Sequence, residues 1–269
     1  MKRLILLLFL MGFLLLGAGT SPGDTVEAPI IMYHSLAGAG SKSTSISGVQ
    51  FEADLQYLRD HGYQAVTLGQ LADFVHHNAP LPERPVVLTF DDGYYNNYAI
   101  GLPLALKYNM PIVVSVIGKD TEIWSEIPST DMRNGHVTWV QIQEMADSGL
   151  VEIANHTWDL HQNKDGRKGA RIRKGEDVAQ YGEVLRRDIG RLQAELTERV
   201  GITPISFVYP FGAISPQATE ILREMGFLVT LSVYDGVNTL VRGDESCLHD
   251  MRRYNRSTDR AVEEILEGI

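Results

Sequence analysis

The chain has 269 residues, of which 44% are hydrophobic. A single α/β barrel commonly has this size, so the length gives no reason to divide the chain into several domains. The formal net charge of -10 at pH 7 argues against a nucleic-acid backbone as a partner. Cys247 is the only cysteine, which excludes an internal disulfide and a metal cluster built from cysteines.

The N-terminus has the pattern of a secretory signal. Lys2 and Arg3 are positive, residues 4–16 form an apolar run, and the small-residue stretch "GAGTS" follows. The run is short for a membrane span, and the small residues suit cleavage. We therefore expect a secreted or extracytoplasmic protein that touches a membrane only through an uncleaved N-terminus. The predicted parts are a signal peptide or membrane anchor, a linker and a single domain, at residues 1–20, 21–28 and 29–269.

Short apolar strands then alternate with helical patterns along the chain. The predicted strands lie at residues 29–34, 64–68, 85–90, 111–118, 150–156, 205–212 and 227–232. The predicted helices lie at residues 51–63, 69–77, 98–109, 138–149, 181–200, 215–226 and near 260–268. Residues 119–135 are expected to form an irregular surface insertion and residues 162–177 a long mobile loop. The alternation predicts an α/β fold with a mostly parallel sheet.

Polar residues follow three of the predicted strands. Asp91 and Asp92 follow one strand, His156 ends a second, and residues 209–212 end a third. Sites in α/β folds lie at the carboxyl ends of strands. These three strand ends are therefore expected to converge on one active site.

The neighbouring carboxylates of Asp91 and Asp92 allow two interpretations. Residues along a regular strand point to opposite faces, but a turn permitted by Gly93 would let both carboxylates reach one cavity. Two close carboxylates repel each other unless a cation lies between them or one of them is protonated. A bound metal solves this problem, whereas the plainer alternative is an ordinary acidic turn.

His156 and His161 form a second candidate group, in "NHTWDLH". They are five positions apart, so a loop rather than one helix face must bring them together. Imidazole is a suitable zinc ligand, and together with Asp92 the pair would leave positions open for water and substrate. Two unrelated surface histidines are the alternative.

Three motifs in order, "TFDDG", "NHTWDLH" and "FVYPFG", resemble those of the polysaccharide deacetylases of carbohydrate esterase family 4, the NodB-homology group. The opening "PIIMYHSL" is similar to the start of many members. The resemblance covers the chain from about residue 29 onward. It implies a distorted (β/α) barrel and metal-assisted hydrolysis of N-acetyl groups on an amino sugar.

The resemblance also implies roles for individual residues. Asp91 would be the general base, and Asp92, His156 and His161 would bind a divalent metal. Zn²⁺ is the expected metal from these ligand types, although Co²⁺ or Ni²⁺ could serve the same site. The backbone N–H of Phe211, at the position of the family's Pro-Tyr tyrosine, would stabilise the oxyanion.

Two departures from the family pattern concern a ligand and the partner of the base. "HTWDLH" is one residue longer than the H-(S/T)-x-x-H of many members, so His161 is less firmly implied than His156. Val208 stands where many members have an arginine that orients the base. We expect Arg253, in "RRYN", to replace it, although a solvated surface charge is the alternative.

A third departure leaves the general acid open. Many members use a histidine in a Leu-x-His motif near the end of the chain. His249 in "CLHD" is one candidate, but its context differs because "RRYN" follows closely. His34 in "MYHSL" follows another predicted strand and is the second candidate.

These residues favour a secreted, metal-dependent de-N-acetylase of a polysaccharide that contains N-acetylglucosamine. Peptidoglycan, an exopolysaccharide and chitin-like polymers all fit. A carbohydrate-binding relative without catalysis is an alternative, favoured by Val208 and by the unassigned acid. Hydrolysis of a small non-sugar amide is another.

Overall fold

The structure is a computed structural model that describes residues 25–269. The predicted signal peptide or anchor at residues 1–20 lies outside the described residues. Residues 25–28, which the sequence assigns to a linker, form a strand and belong to the folded part. Within the described part of the chain, no helix combines the length and the apolar character needed to cross a membrane.

Most of the strands are short, and most of them are buried. They are β1 (Thr25–Ala28), β2 (Ile30–Tyr33), β3 (Gln64–Ala65), β4 (Pro85–Phe90), β5 (Ile112–Val116), β6 (Val151–Asn155), β7 (Asn163–Lys164), β8 (Arg167–Lys168), β9 (Ser206–Val208), β10 (Val229–Leu231), β11 (Asn238–Val241) and β12 (Tyr254–Asn255).

The α-helices lie mainly between the strands of the sheet. They are α1 (Gly48–Asp60), α2 (Leu68–His77), α3 (Leu102–Tyr108), α4 (Gly118–Glu126), α5 (Trp139–Asp147), α6 (Val178–Val200), α7 (Pro216–Glu224) and α8 (Val262–Leu266). One π-helical turn precedes α3, and two short 3₁₀ turns lie at Pro210–Gly212 and Glu245–Leu248.

Seven parallel strands form the central sheet, in the order β10-β9-β6-β5-β4-β2-β12. β3 pairs with the start of β4, while β1 pairs antiparallel with β11 in a separate ribbon. The sheet curls into a half-barrel. This confirms the predicted α/β fold of the distorted (β/α) barrel type, and the buried apolar run of β4 is typical of a strand covered on both faces.

Side chains of β4 alternate between two cores. Leu88 and Phe90 pack in the larger hydrophobic cluster, and Val87 packs in a second cluster with residues of β2, β5, β6 and β9. Asp91 lies two positions after Thr89 and four after Val87, and its N–H donates to the Tyr33 carbonyl of β2, as in a continuing strand. Strand alternation therefore directs the Asp91 side chain to the same face as Val87.

One C-terminal segment contacts both edges of the sheet. Met251 bridges Leu231 of β10 in parallel, and β12 pairs with β2 at the opposite edge. Arg253 lies between these two contacts, and its N–H bonds to the Tyr234 carbonyl at 2.9 Å. Residues 251–255 therefore carry Arg253 across the gap between the sheet edges.

The helix α6 is the longest in the described part of the chain. The Asp177 carboxylate caps its start by accepting the N–H groups of Ala179 and Gln180, and Gly201 ends it in a left-handed conformation. Its buried face recurs with the helical period, at Tyr181, Leu185, Ile189, Leu192, Leu196 and Val200. The helix begins three residues before the predicted start at residue 181.

Two segments expected to be irregular contain regular structure. Residues 119–135 include most of α4, whose first N–H groups bond to the loop after β6. Residues 162–177 include the β7–β8 hairpin, so the prediction of one long mobile loop was wrong there. Asp165 and Gly166 form its turn with positive φ values of 52° and 76°, as a two-residue Asp-Gly hairpin requires.

Candidate active site

The carboxyl ends of β4, β6 and β9 meet at one cavity of about 160 Å³, as the polar strand ends predict. Residues after β2 and β10 complete its wall. The cavity is lined by His34, Thr44, Asp91, Asp92, His156, His161, Phe211 and Val233.

A left-handed residue follows each of the three strands. The φ angle is 72° at Asp92, 75° at Thr157 and 58° at Phe211, values that residues with a side chain rarely adopt. Such strain persists only where the surrounding structure enforces it, and it clusters at functional sites. At Asp92 the turn interrupts strand alternation, which lets Asp91 and Asp92 reach the same cavity.

Asp92, His156 and His161 present their donor atoms to one point. Asp92 Oδ1 lies 3.5 Å from His156 Nε2 and 3.3 Å from His161 Nε2, and the three atoms lie within 4.8 Å of one another. His156 Nδ1 donates to the Val208 carbonyl at 2.8 Å, so Nε2 is left as the lone-pair donor toward the cavity. The structure therefore brings the three predicted ligands together.

The electrostatics of this group suit a cation. Burial raises the pKa of the Asp91 carboxyl, but Arg253 outweighs it and holds that pKa at about 2. Burial and the neighbouring His156 lower the pKa of His161 to about 4. Burial also lowers the pKa of His156, but Asp92 and Asp91 raise it on balance. Arg253 balances the charge of Asp91, so the ionised carboxylate of Asp92 beside a neutral His161 is the charge that a cation would balance.

Arg253 forms the partner of Asp91 that the sequence predicts. Its Nη1 and Nη2 donate to Asp91 Oδ1 and Oδ2 at 2.7 and 2.8 Å, and its Nε donates to the Ser232 carbonyl at 2.6 Å. The arginine is fully buried, which contradicts the alternative of a solvated surface charge. Ser115 Oγ also donates to Asp91 Oδ1 at 3.1 Å. The carboxylate of Asp91 is therefore fixed in orientation by three donated hydrogen bonds.

His34 and Phe211 both line the cavity, as predicted. His34 follows β2, and its Nδ1 is buried without a hydrogen-bond partner among the described residues. The Phe211 ring centroid lies 4.3 Å from that of His161, and the side chain is 40% exposed. The roles of the His34 ring and of the Phe211 N–H in the reaction stay predictions.

His249 does not lie in this cavity, so its candidacy as the general acid is not supported. It lines a different cavity of about 320 Å³ together with His76, Arg223 and Glu245. The adjacent Asp250 has a positive φ, and its N–H bonds to Thr230 Oγ1 of β10, which fixes the segment there. The turn at Glu245–Leu248 packs against α2, which places the following His249 at that other cavity.

Several supporting residues were not found from the sequence. His136 Nδ1 donates to the Asp92 carbonyl at 2.9 Å, and Ser115 donates to Asp91. Asp188 and Asn155 bond to the backbone of the loop that carries His161. These residues act through contacts between distant segments, so no local sequence motif could have identified them.

The comparisons with known proteins define the class. The model of the polysaccharide deacetylase family matches residues 78–230. This is more than half of the chain, and the chain belongs to that family. Its fold is that of the NodB-type deacetylases.

Particular relatives are consistent with this membership. The poly-β-1,6-N-acetyl-D-glucosamine N-deacetylase of Escherichia coli (strain K12) is 29% identical over 227 residues, covering 77% of this chain and 34% of the relative. The chain thus spans about a third of the length of that protein. A de-N-acetylase from Aggregatibacter actinomycetemcomitans is similar in structure, with a TM-score of 0.74 and 26% identity over 91% of this chain and 100% of the other. IcaB from Ammonifex degensii is also similar in structure, with a TM-score of 0.70 and 28% identity over 84% of this chain and 91% of the other.

Proposed function

We propose that this chain is a metal-dependent de-N-acetylase of a polysaccharide that contains N-acetylglucosamine. The observation that carries the proposal is the ionised carboxylate of Asp91, paired with buried Arg253, beside the donor atoms of Asp92, His156 and His161. The activities for which the similar proteins are named support the substrate class and favour a β-1,6-linked polymer over peptidoglycan or chitin.

The donor set fits a divalent ion. One carboxylate and two imidazoles with free Nε2 atoms match a zinc site that keeps a position open for reactants, and Co²⁺ or Ni²⁺ accept the same ligands. His156, committed through Nδ1 to the Val208 carbonyl, is held in the tautomer that such a site needs. When bound, the ion supplies Lewis acidity, which polarises the acetamide carbonyl and lowers the pKa of water.

Asp91 accepts the proton of the attacking water as the new C–O bond forms at the acetyl carbon. Arg253 and Ser115 hold both carboxylate oxygens in place, and Arg253 keeps the group ionised at neutral pH. The negative charge that develops on the acetyl oxygen is stabilised by the backbone N–H of Phe211. The C–N bond then breaks, releasing acetate and a sugar amine.

His34 is the group assigned to protonate the leaving nitrogen. Among the described residues it is the one histidine that lines the cavity besides the two candidate ligands. Its Nδ1 is buried and has no hydrogen-bond partner within the described structure. His249, in another cavity, does not compete for this role.

The carbohydrate-binding alternative has lost its main support. It rested on the missing motif arginine and on the unassigned acid. Arg253 pairs with Asp91 from a distant part of the chain, and His34 is a candidate for the acid. A buried base fixed by an arginine beside a metal-type cluster is unnecessary for binding alone. The expected location is secreted or extracytoplasmic, an expectation that rests on the apolar run at residues 4–16.

Acetate release tests the proposal. The purified protein is incubated with β-1,6-linked and β-1,4-linked N-acetylglucosamine oligomers, peptidoglycan and a small non-sugar acetamide, with and without chelator. We expect release from the β-1,6-linked oligomers that chelator abolishes and added Zn²⁺ restores. Release from the small amide alone would support the non-sugar alternative, and absence of release from every substrate would overturn the proposal.

A further inference from the structure

The loop that carries His161 is held by a carboxylate outside the cavity. We infer that Asp188 of α6 is a positioning residue, which fixes residues 157–161, here called the ligand loop, so that His161 reaches Asp92 and His156. This inference rests on the proposed function, because it gives the loop its purpose.

The first contact is between Asp188 and two successive backbone N–H groups. Trp158 N–H donates to Asp188 Oδ1 at 2.8 Å, and Asp159 N–H donates to Oδ2 at 3.0 Å. The left-handed φ of 75° at Thr157 turns the chain after β6. A carboxylate has two acceptor oxygens, so one side chain satisfies both donors.

The opposite side of the ligand loop is fixed by the start of α4. Gly118 N–H donates to the Thr157 carbonyl at 3.1 Å, and Lys119 N–H donates to the Trp158 carbonyl at 2.9 Å. A side chain at Gly118 would collide with the Trp158 ring, since an added Cβ would lie 2.4 Å from it. The loop is thus clamped between α4 and α6.

Neighbouring residues of α6 hold the start of the loop as well. The Asn155 side-chain amide donates to the Ile189 carbonyl at 3.1 Å, and its Oδ1 accepts the Thr157 N–H at 2.9 Å. Asp188 and Ile189 are adjacent, so one turn of α6 sets both the beginning and the middle of the loop. The extra residue between His156 and His161 is accommodated within this clamp.

Asp188 acts through the backbone and not on the reactants. It does not line the cavity, and within the described residues its carboxylate accepts hydrogen bonds from the two loop N–H groups. Burial raises its pKa to about 6 despite those two bonds. Asp188 is therefore a half-buried carboxylate with two backbone partners, unlike a solvated charge on the surface.

The test uses Asp188→Asn in the full chain, with Asp177→Asn as the matched control. Asp177 immediately precedes the same helix and also accepts two backbone N–H groups, at 2.9 and 3.1 Å, but it caps the start of α6 and does not contact the ligand loop. Zn²⁺ affinity is measured by competition with a chromophoric chelator. Hydrogen exchange of the Trp158 and Asp159 amides is measured in the metal-free protein.

We expect Asp188→Asn to weaken Zn²⁺ binding by about 10- to 100-fold, as is usual for residues that orient ligands. The two loop amides should exchange faster, while Asp177→Asn changes neither readout. If Asp188→Asn does not fold, Asp188→Glu keeps the charge but displaces the oxygens, and should show the same two changes.

Unchanged exchange at Trp158 and Asp159, or unchanged Zn²⁺ affinity in a folded variant, would overturn the inference. Equal losses in Asp177→Asn would mean that α6 stability, not the loop contact, is responsible, and would also overturn it. A wild-type protein that binds no Zn²⁺, Co²⁺ or Ni²⁺ would instead overturn the metal dependence of the proposed function. The exchange measurement would then still decide whether Asp188 holds the loop.

Discussion

The two walls of the candidate active site are held by different means. Asp91 and Arg253 are 3% and 0% exposed and form a charge pair inside the curled sheet. The His161 side chain is 25% exposed and depends on a loop clamped by helices outside the sheet. The candidate base is therefore part of the core, whereas one candidate ligand is part of a surface loop.

Because of this difference, some substitutions in the site should also destabilise the fold, whereas others should not. Removing one partner of a buried charge pair leaves the other charge without compensation, so the base and the fold are linked. The ligand loop lies outside the sheet, so we expect changes in it to alter metal affinity with little loss of stability. Each prediction below tests one side of this contrast.

The largest effect is expected for Asp91→Asn. The amide cannot accept the proton of water, so turnover should fall by about 10²- to 10⁴-fold, the range for loss of a general base. Asp91 is not among the candidate ligands, so bound Zn²⁺ should remain. The measurements are acetate release and metal content after gel filtration. The adjacent Asp92→Asn is the control, and it should lose metal; equal metal loss in both variants would contradict the division of roles.

Arg253→Met should destabilise the protein by about 3–5 kcal/mol, because Asp91 stays buried and charged without its partner. The double variant with Asp91→Asn should recover part of that loss, since neither charge then remains. Urea unfolding measures both. Arg252→Met, at the exposed neighbouring arginine, is the control and should have a small effect. Strictly additive changes in the double variant would show that the pair is not coupled.

The third prediction concerns acid stability. The folded-state pKa of Asp91, about 2, lies below its ordinary value of 3.8. This pair therefore contributes stability that is fully present above about pH 4 and is lost as the pH falls from about 4 to about 2, because the unfolded chain binds the proton first. Unfolding free energies of the wild type across this window should show a steeper pH dependence than those of Asp91→Asn. Identical pH dependences of the unfolding free energy in the two proteins would contradict the lowered pKa of Asp91.

The smallest effect is expected for His249→Gln. Its cavity lies apart from the site, so acetate release and Zn²⁺ affinity should match the wild type, and stability should change by about 0.5 kcal/mol or less. His34→Gln is the comparison, and it should lower turnover while leaving metal content unchanged. A marked loss of turnover in His249→Gln would return that histidine to the list of candidate acids.

The sequence predicts the sheet and the meeting of the strand ends because both depend on local pattern. The apolar run of β4 is predicted at residues 85–90, the bounds that the structure shows. The polar residues at the ends of β4, β6 and β9 are predicted to converge, because parallel strands share one carboxyl edge. The fold class and the ligand cluster follow from these two features together with the family motifs.

The remaining features depend on contacts between distant segments. Arg253 lies 162 residues from Asp91, and only the family's need for an arginine suggested it. From the sequence, Asp188 resembles any charged residue on a helix surface. Its contact with the ligand loop is seen only in the folded structure. The left-handed residues after the strands could not be predicted, because Asp92, Thr157 and Phe211 are not residue types that favour positive φ strongly enough. The β7–β8 hairpin is different, since its Asp-Gly turn is a local signal for a two-residue hairpin.

The segment at residues 251–255 has a consequence for how the protein matures. Synthesis proceeds from the N-terminus, so the strands that carry Asp91, Asp92, His156 and His161 are made before Arg253. The guanidinium pairs with Asp91 from a segment that contacts β10 on one side and β2 on the other. A nascent chain therefore holds every candidate ligand before it holds the arginine that pairs with Asp91. The Asp91–Arg253 pair can form only after this C-terminal segment has been made.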